Sequence, residues 1–138
     1  KVLPSAPYER IMRARDAELV KYAGNCFLFT KVMYMNILYD LVSATGGSWQ
    51  DVRGALIHDP RIGLSHTEPV HQGGRGAGGH CFIKDFEAFR RMYTESVGDV
   101  FGAEVLKAEA EKNIALLARS GKDVELLEGV YGDISKYV

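Results

Sequence analysis

The chain has little cysteine, little proline and no excess of charge. Its 138 residues hold two cysteines, Cys26 and Cys81, four prolines and one tryptophan. Two thiols build no disulfide framework, and without a visible secretory signal they suit a reducing, cytoplasmic setting. Seventeen basic residues against 18 acidic ones leave a net charge of −1. That balance provides no basic stripe for nucleic acid and no field for an anionic membrane surface. No apolar run is long enough to span a bilayer, because Lys31 interrupts the most apolar segment. Internal repeats and low-complexity tracts are missing too. The four histidines, His58, His66, His71 and His80, match neither a helical nor a ribbon zinc spacing, so no metal site is expected. What remains is one globular domain, long enough to bury a real core.

Scarce proline leaves room for helices. From Ala14 to Ala44 apolar residues recur at helical spacing with no proline, and Gly46-Gly47 supplies a stop. From Phe27 to Leu41 the pattern is apolar around much of the circumference, which predicts burial on more than one side, in a bundle or a dimer. Glu18, Lys21 and Asn25 share one face of this helix, and Asn36 is expected to be buried and hydrogen-bonded. Ser48 reads as the N-cap of a second helix ending near His58, and Asp59-Pro60-Arg61-Ile62-Gly63 as a turn. Arg61 there presents a planar fork for a phosphate or carboxylate. Residues 64–72 read as a polar loop. Further helices are predicted over Asp85–Ser96, with Phe86, Phe89, Met92 and Tyr93 inward, over Phe101–Arg119, and over Asp123–Val130, before a tail. Cys81–Ile83 is the one β-like stretch. The predicted class is all-α, a helical bundle built on one long central helix.

Chemistry concentrates where glycine does. Gly73-Gly74-Arg75-Gly76-Ala77-Gly78-Gly79 carries five glycines in seven residues, and His80-Cys81-Phe82-Ile83-Lys84-Asp85 follows at once. Such a run lets backbone approach a ligand or holds left-handed turns. A thiol at the loop-to-helix junction can be activated as a nucleophile, although a lone cysteine can equally be filler. Gly74, Gly76 and Gly79 also spell G-x-G-x-x-G, but no strand precedes them, so a dinucleotide-binding loop is rejected. A cysteine hydrolase lacks a base, since His80 is adjacent in sequence and points away.

Three stretches in order, Ala17–Asn25, Asp59–Gly63 and Gly78–Asp85, resemble the central domain of the UDP-glucose/GDP-mannose dehydrogenase family over roughly Ala14 to Arg91. The resemblance implies a fold like the C-terminal domain of 6-phosphogluconate dehydrogenase. It implies a domain over 14–130, a lead-in (1–13) from an NAD-binding domain not in this chain, and a tail (131–138). The family oxidises a sugar C6 alcohol to a carboxylate with NAD. By position, Cys81 matches the nucleophile that forms a thiohemiacetal and then a thioester. Lys21 and Asn25 match the pair on the C6 oxygen, and Asp85 the carboxylate that helps activate water. Gly76, Gly78, Gly79, Lys84 and Arg61 match substrate contacts, Arg61 across a dimer interface. The implied partners are a UDP-sugar and a second copy through helix 14–44. Arg75, Ala77 and Ile83 stand where many members carry aromatics or proline, which leaves the sugar open between UDP-glucose and N-acetylated relatives. The other reading is a non-catalytic all-α dimerisation module, and the 138 residues alone are expected to be inactive.

Overall fold

The computed structural model describes residues 6–138, so the first five residues of the expected lead-in lie outside the described residues. Five α-helices follow in order: α1 Ala14–Ala44, α2 Trp49–Leu56, α3 His80–Val97, α4 Val100–Arg119 and α5 Val124–Tyr131. The all-α expectation holds, and α1 has the predicted bounds.

Each helix ends where local chemistry stops it. After α1, the Gly46 amide bonds Ser43 O (3.2 Å) and the Gly47 amide bonds Val42 O (2.8 Å), with Gly46 at φ 73°. This double closure needs a left-handed residue just past the cap, which glycine takes without strain. The same pair of bonds closes α4 at Gly121 and Lys122. Ser48 Oγ accepts from the Asp51 amide and starts α2. Asp99 starts α4 by accepting from the Phe101 and Gly102 amides.

Three expectations are corrected. Helix α3 begins at His80, five residues before the predicted Asp85, and the β-like Cys81–Ile83 is its first turn. Gly79 at φ 85° turns the chain there, and Ile83, Phe86 and Glu87 are then buried at helical spacing, which outweighs the strand propensity of three residues. The predicted polar loop contains a small hairpin, β1 Val70–His71 against β2 Gly74–Arg75. Gln72 (φ 51°) and Gly73 (φ 80°) form its turn, the positive-φ pair that matches strand twist. Met92, expected inward, is exposed, while Phe86 and Phe89 take up the core-facing side of α3. The tail carries a 3₁₀ turn, Ser135–Tyr137, and buries Ile134 against Leu117 and Leu127.

The core forms where α1, α3 and α4 meet. Phe29 of α1 stacks on Phe86 of α3 with ring centroids 3.8 Å apart, among Cys26, Val32, Met33, Ala110 and Leu116. A second cluster joins Ile83, Ile114, Leu117 and Leu127, and a third seats Trp49 of α2 on Met35 and Val42. Phe86→Ala removes a ring from the point where three helices meet. Chemical denaturation should show a loss of about 3–5 kcal/mol.

Candidate active site

Asp85 lies one turn into α3 and is 8% exposed. A buried carboxylate needs donors, and α1 provides two. Asn25 Nδ2 donates to Asp85 Oδ2 at 2.6 Å, and Lys21 Nζ lies 3.3 Å from the same oxygen and 3.4 Å from Oδ1. The two contacts differ in weight. Removing the amide leaves a buried acceptor unsatisfied, at about 1–3 kcal/mol. The Lys21 side chain is 64% exposed, so its ion pair is screened and contributes about 0–1 kcal/mol. Asn25 therefore anchors the carboxylate, and Lys21 is held loosely enough to turn elsewhere. An ammonium has three N–H donors and an amide two, so both keep donors to spare.

Cys81 precedes Asp85 by four residues on the same helix, so the two share a face, with Cβ atoms roughly 5–6 Å apart. The thiol is exposed, whereas Cys26 is buried. Of the predicted residues, Lys21, Asn25 and Asp85 are brought together, and Cys81 stands about one turn before Asp85 on α3. Lys84 is exposed on the same helix.

Burial, reinforced by the negative charges of Asp85 and Glu109, pushes the Cys26 thiol up to about 11. Between its ordinary 9.0 and about 11 the unfolded chain loses this proton and the folded chain keeps it, so stability falls as pH rises through that window. Cys26→Ala should flatten this slope in denaturation curves taken across that range; an unchanged slope would contradict it.

Arg61 lies elsewhere. Its side chain is 88% exposed and forks onto Asp59, with NH2–Oδ2 at 2.6 Å. It lines a groove with Phe27, Thr30 and Tyr34 of α1.

The glycine run forms a strap laced to α4 and to the α4–α5 junction. Asn113, 1% exposed, accepts from the Ala77 amide at 2.7 Å and donates to Ala77 O at 3.1 Å, as a neighbouring strand would. Ser120 Oγ takes the Arg75 amide at 3.0 Å, and Lys122 Nζ donates to His71 O at 2.9 Å. The Gly79 amide donates to Asp123 Oδ2 at 2.7 Å. A side chain at Gly76, already at φ 96°, would meet Asn113 Oδ1 at 2.9 Å and Leu117 at 3.1 Å. One at Gly78 would collide with Asp123 and Lys122. The bareness of Gly76 and Gly78 is thus required by the chain's own packing. The Arg75 guanidinium reaches the other way, to Asn36 Oδ1 (2.9 Å), Asn36 O (3.0 Å) and Asp40 (2.8 Å), above the Tyr39 ring. Burial works to raise Asp40, but bonds from Arg75 and Lys112 outweigh it and hold the carboxyl below its usual range. Asn36 is fully buried and bonded, as expected.

Sequence reasoning missed Asn113, Ser120, Lys122 and Asp123. One signal was available: Asn113 precedes an apolar run, Ile114–Ala118, as Asn36 sits between Met35 and Ile37.

A cavity of ≈ 390 Å³ opens beside the strap, lined by His66, Thr67, Gly76, Gly78, Phe82 and Lys122 but not by Cys81. Among the described residues, no group of three or more His, Cys, Asp or Glu could hold a metal. A dinucleotide does not fit the glycine run either. Gly76 is packed on α4, the Gly79 amide is already taken by Asp123, and only a two-residue strand lies within the run.

The described residues thus form an all-α core in which an ammonium, an amide and a carboxylate meet between α1 and α3, about one turn along α3 from an exposed thiol. Residues 15–114 match the UDP-glucose/GDP-mannose dehydrogenase family, central domain, and the chain belongs to that family. It is 36% identical over 129 residues to the UDP-glucose 6-dehydrogenase of Pseudomonas aeruginosa, covering 92% of this chain and 25% of that protein. The enzyme of the same name from Rickettsia felis is 35% identical over 97 residues, covering 70% of this chain and 20% of the relative. That from Rhizobium meliloti is 44% identical over 71 residues, covering 51% and 15%. The chain thus spans a quarter or less of the length of these curated relatives.

Proposed function

We propose that this chain is the covalent-chemistry core of an NAD-dependent nucleotide-sugar 6-dehydrogenase acting in the cytoplasm on a UDP-sugar of the UDP-glucose type. The observation that carries this reading is the Lys21–Asn25–Asp85 cluster, closed between two helices with Cys81 four residues before Asp85 on α3. NAD finds no seat on these residues, so a separate domain would hold it; when bound, NAD would accept the two hydrides that take the C6 alcohol to the aldehyde and the thiohemiacetal to the thioester.

The residues divide the remaining work. The Cys81 thiolate adds to the C6 aldehyde carbon, forming a C–S bond while the carbonyl π pair moves onto oxygen. The spare N–H donors of Lys21 and Asn25 face that oxygen and stabilise its charge, an effect of about 10²–10³-fold per donor in comparable sites. At the thioester level a water attacks the carbonyl carbon, Asp85 takes its proton, and the C–S bond breaks to return the thiolate. Gly79, with Gly76 and Gly78 behind it, carries backbone past the sugar, and Lys84 extends the basic edge of α3.

Two measurements test the reading. Iodoacetamide near neutral pH should label Cys81 much faster than Cys26; equal, slow labelling of both would favour a non-catalytic module. The 138 residues alone, given UDP-glucose and NAD, should produce no NADH, and steady NADH formation would overturn the assignment of cofactor binding to another domain.

The same reading includes a homodimer through α1. Phe27 (69% exposed), Tyr34 (59%) and Leu41 (59%) recur every seven residues, with Ile37 (53%) between them, forming an unpartnered seam. Grooves of ≈ 300 and ≈ 350 Å³ flank Tyr34, sized for the ridge of a second copy. Arg61 borders one of them, a place suited to serving the partner's site. Tyr34→Asp should convert a sedimenting dimer to monomer; a wild-type chain that is monomeric at micromolar concentration would contradict this.

A further inference from the structure

Asp123 adopts φ 55°, a left-handed conformation that is uncommon for any residue with a side chain. It occupies the N-cap position of α5, yet its carboxylate makes no cap bond to its own helix. Instead Oδ2 accepts the Gly79 amide at 2.7 Å, across 44 residues of sequence. Gly79 is the N-cap of α3, has no side chain with which to cap it, and stands two residues before Cys81. Gly78 stays bare because a side chain there would collide with the Asp123 carboxylate and with Lys122. Three features thus converge on one bond: a strained backbone, a side chain that ignores its own helix, and a strap that leaves it room. Strain of this kind persists only where the surroundings over-determine it, and it gathers at functional sites.

We propose that Asp123 is a positioning residue for the nucleophile. It acts as a borrowed N-cap for α3, fixing the first turn in which Cys81 is the second residue. The inference rests on the proposed role of Cys81. The carboxylate touches neither substrate nor sulfur; it holds the Gly79 amide, and through it the direction in which the opening amides of α3 face the thiol. An unfastened Gly79, with φ and ψ free, would let that turn fray, and Cys81 would lose both its place above Asp85 and the field of the helix end.

Two substitutions separate the bond from the charge and from overall stability. Asp123→Asn keeps an acceptor and tolerates φ 55°. Asp123→Gly suits the same φ even better but loses the acceptor. Both variants lack the charge, so the difference between them reports the bond. In the intact chain, iodoacetamide should label Cys81 of the Gly variant about threefold or more slowly than that of the Asn variant. Cys26, buried in the core, serves as the internal gauge of opening and should label at the same slow rate in both. Equal Cys81 rates in the two variants would overturn the proposal. So would a parallel rise at Cys26 in the Gly variant, since Asp123 would then only hold the fold together. If wild-type Cys81 is no faster than Cys26, the reading of the site itself fails, a result distinct from either.

Discussion

A carboxylate that cannot leave the protein interior holds the site together. Asp85 faces α1 from α3 and finds there one amide and one ammonium. A buried charge without partners would be far more costly than the pair is stabilising, so the arrangement specifies which faces of α1 and α3 must meet. Once they meet, Phe29 and Phe86 stack below and Cys81 is left exposed above. Packing and polar contacts share one constraint: the helix pair that closes the core also closes the Lys21–Asn25–Asp85 cluster.

The glycine run serves the chain's own packing. Its missing side chains make room for the strap's own neighbours, with Gly76 against Asn113 and Leu117 and Gly78 against Asp123 and Lys122. Asn113 supplies the hydrogen bonds that a strand would supply to Ala77. Arg75 pulls in the opposite direction, onto Asn36 and Asp40 of α1. The strap is therefore fastened on both flanks, and Cys81 emerges from a rigid lead-in.

The outward side of α1 is left uncovered by the chain's own core. The helix is apolar on two faces, and the chain's own core uses only one. Phe27, Tyr34 and Leu41 are exposed, and Arg61 lines a groove with Phe27 and Tyr34.

Much of this was legible from the residues alone, for a local reason. The bounds of α1, its stop at Gly46-Gly47, the Ser48 cap and the burial of Asn36 follow from spacing and from bonds made within a few residues. The shared face of Lys21 and Asn25 is a property of helical repeat, and the family was readable from three ordered motifs. The start of α3 was misplaced because Cys81-Phe82-Ile83 has strand propensity, and only packing against α1 and α4 overrides it. The fastening of the strap by Asn113, Ser120, Lys122 and Asp123 joins residues 36 to 51 apart in sequence. No local pattern carries such pairings. They exist because buried backbone amides and carbonyls must find partners wherever the fold happens to provide them.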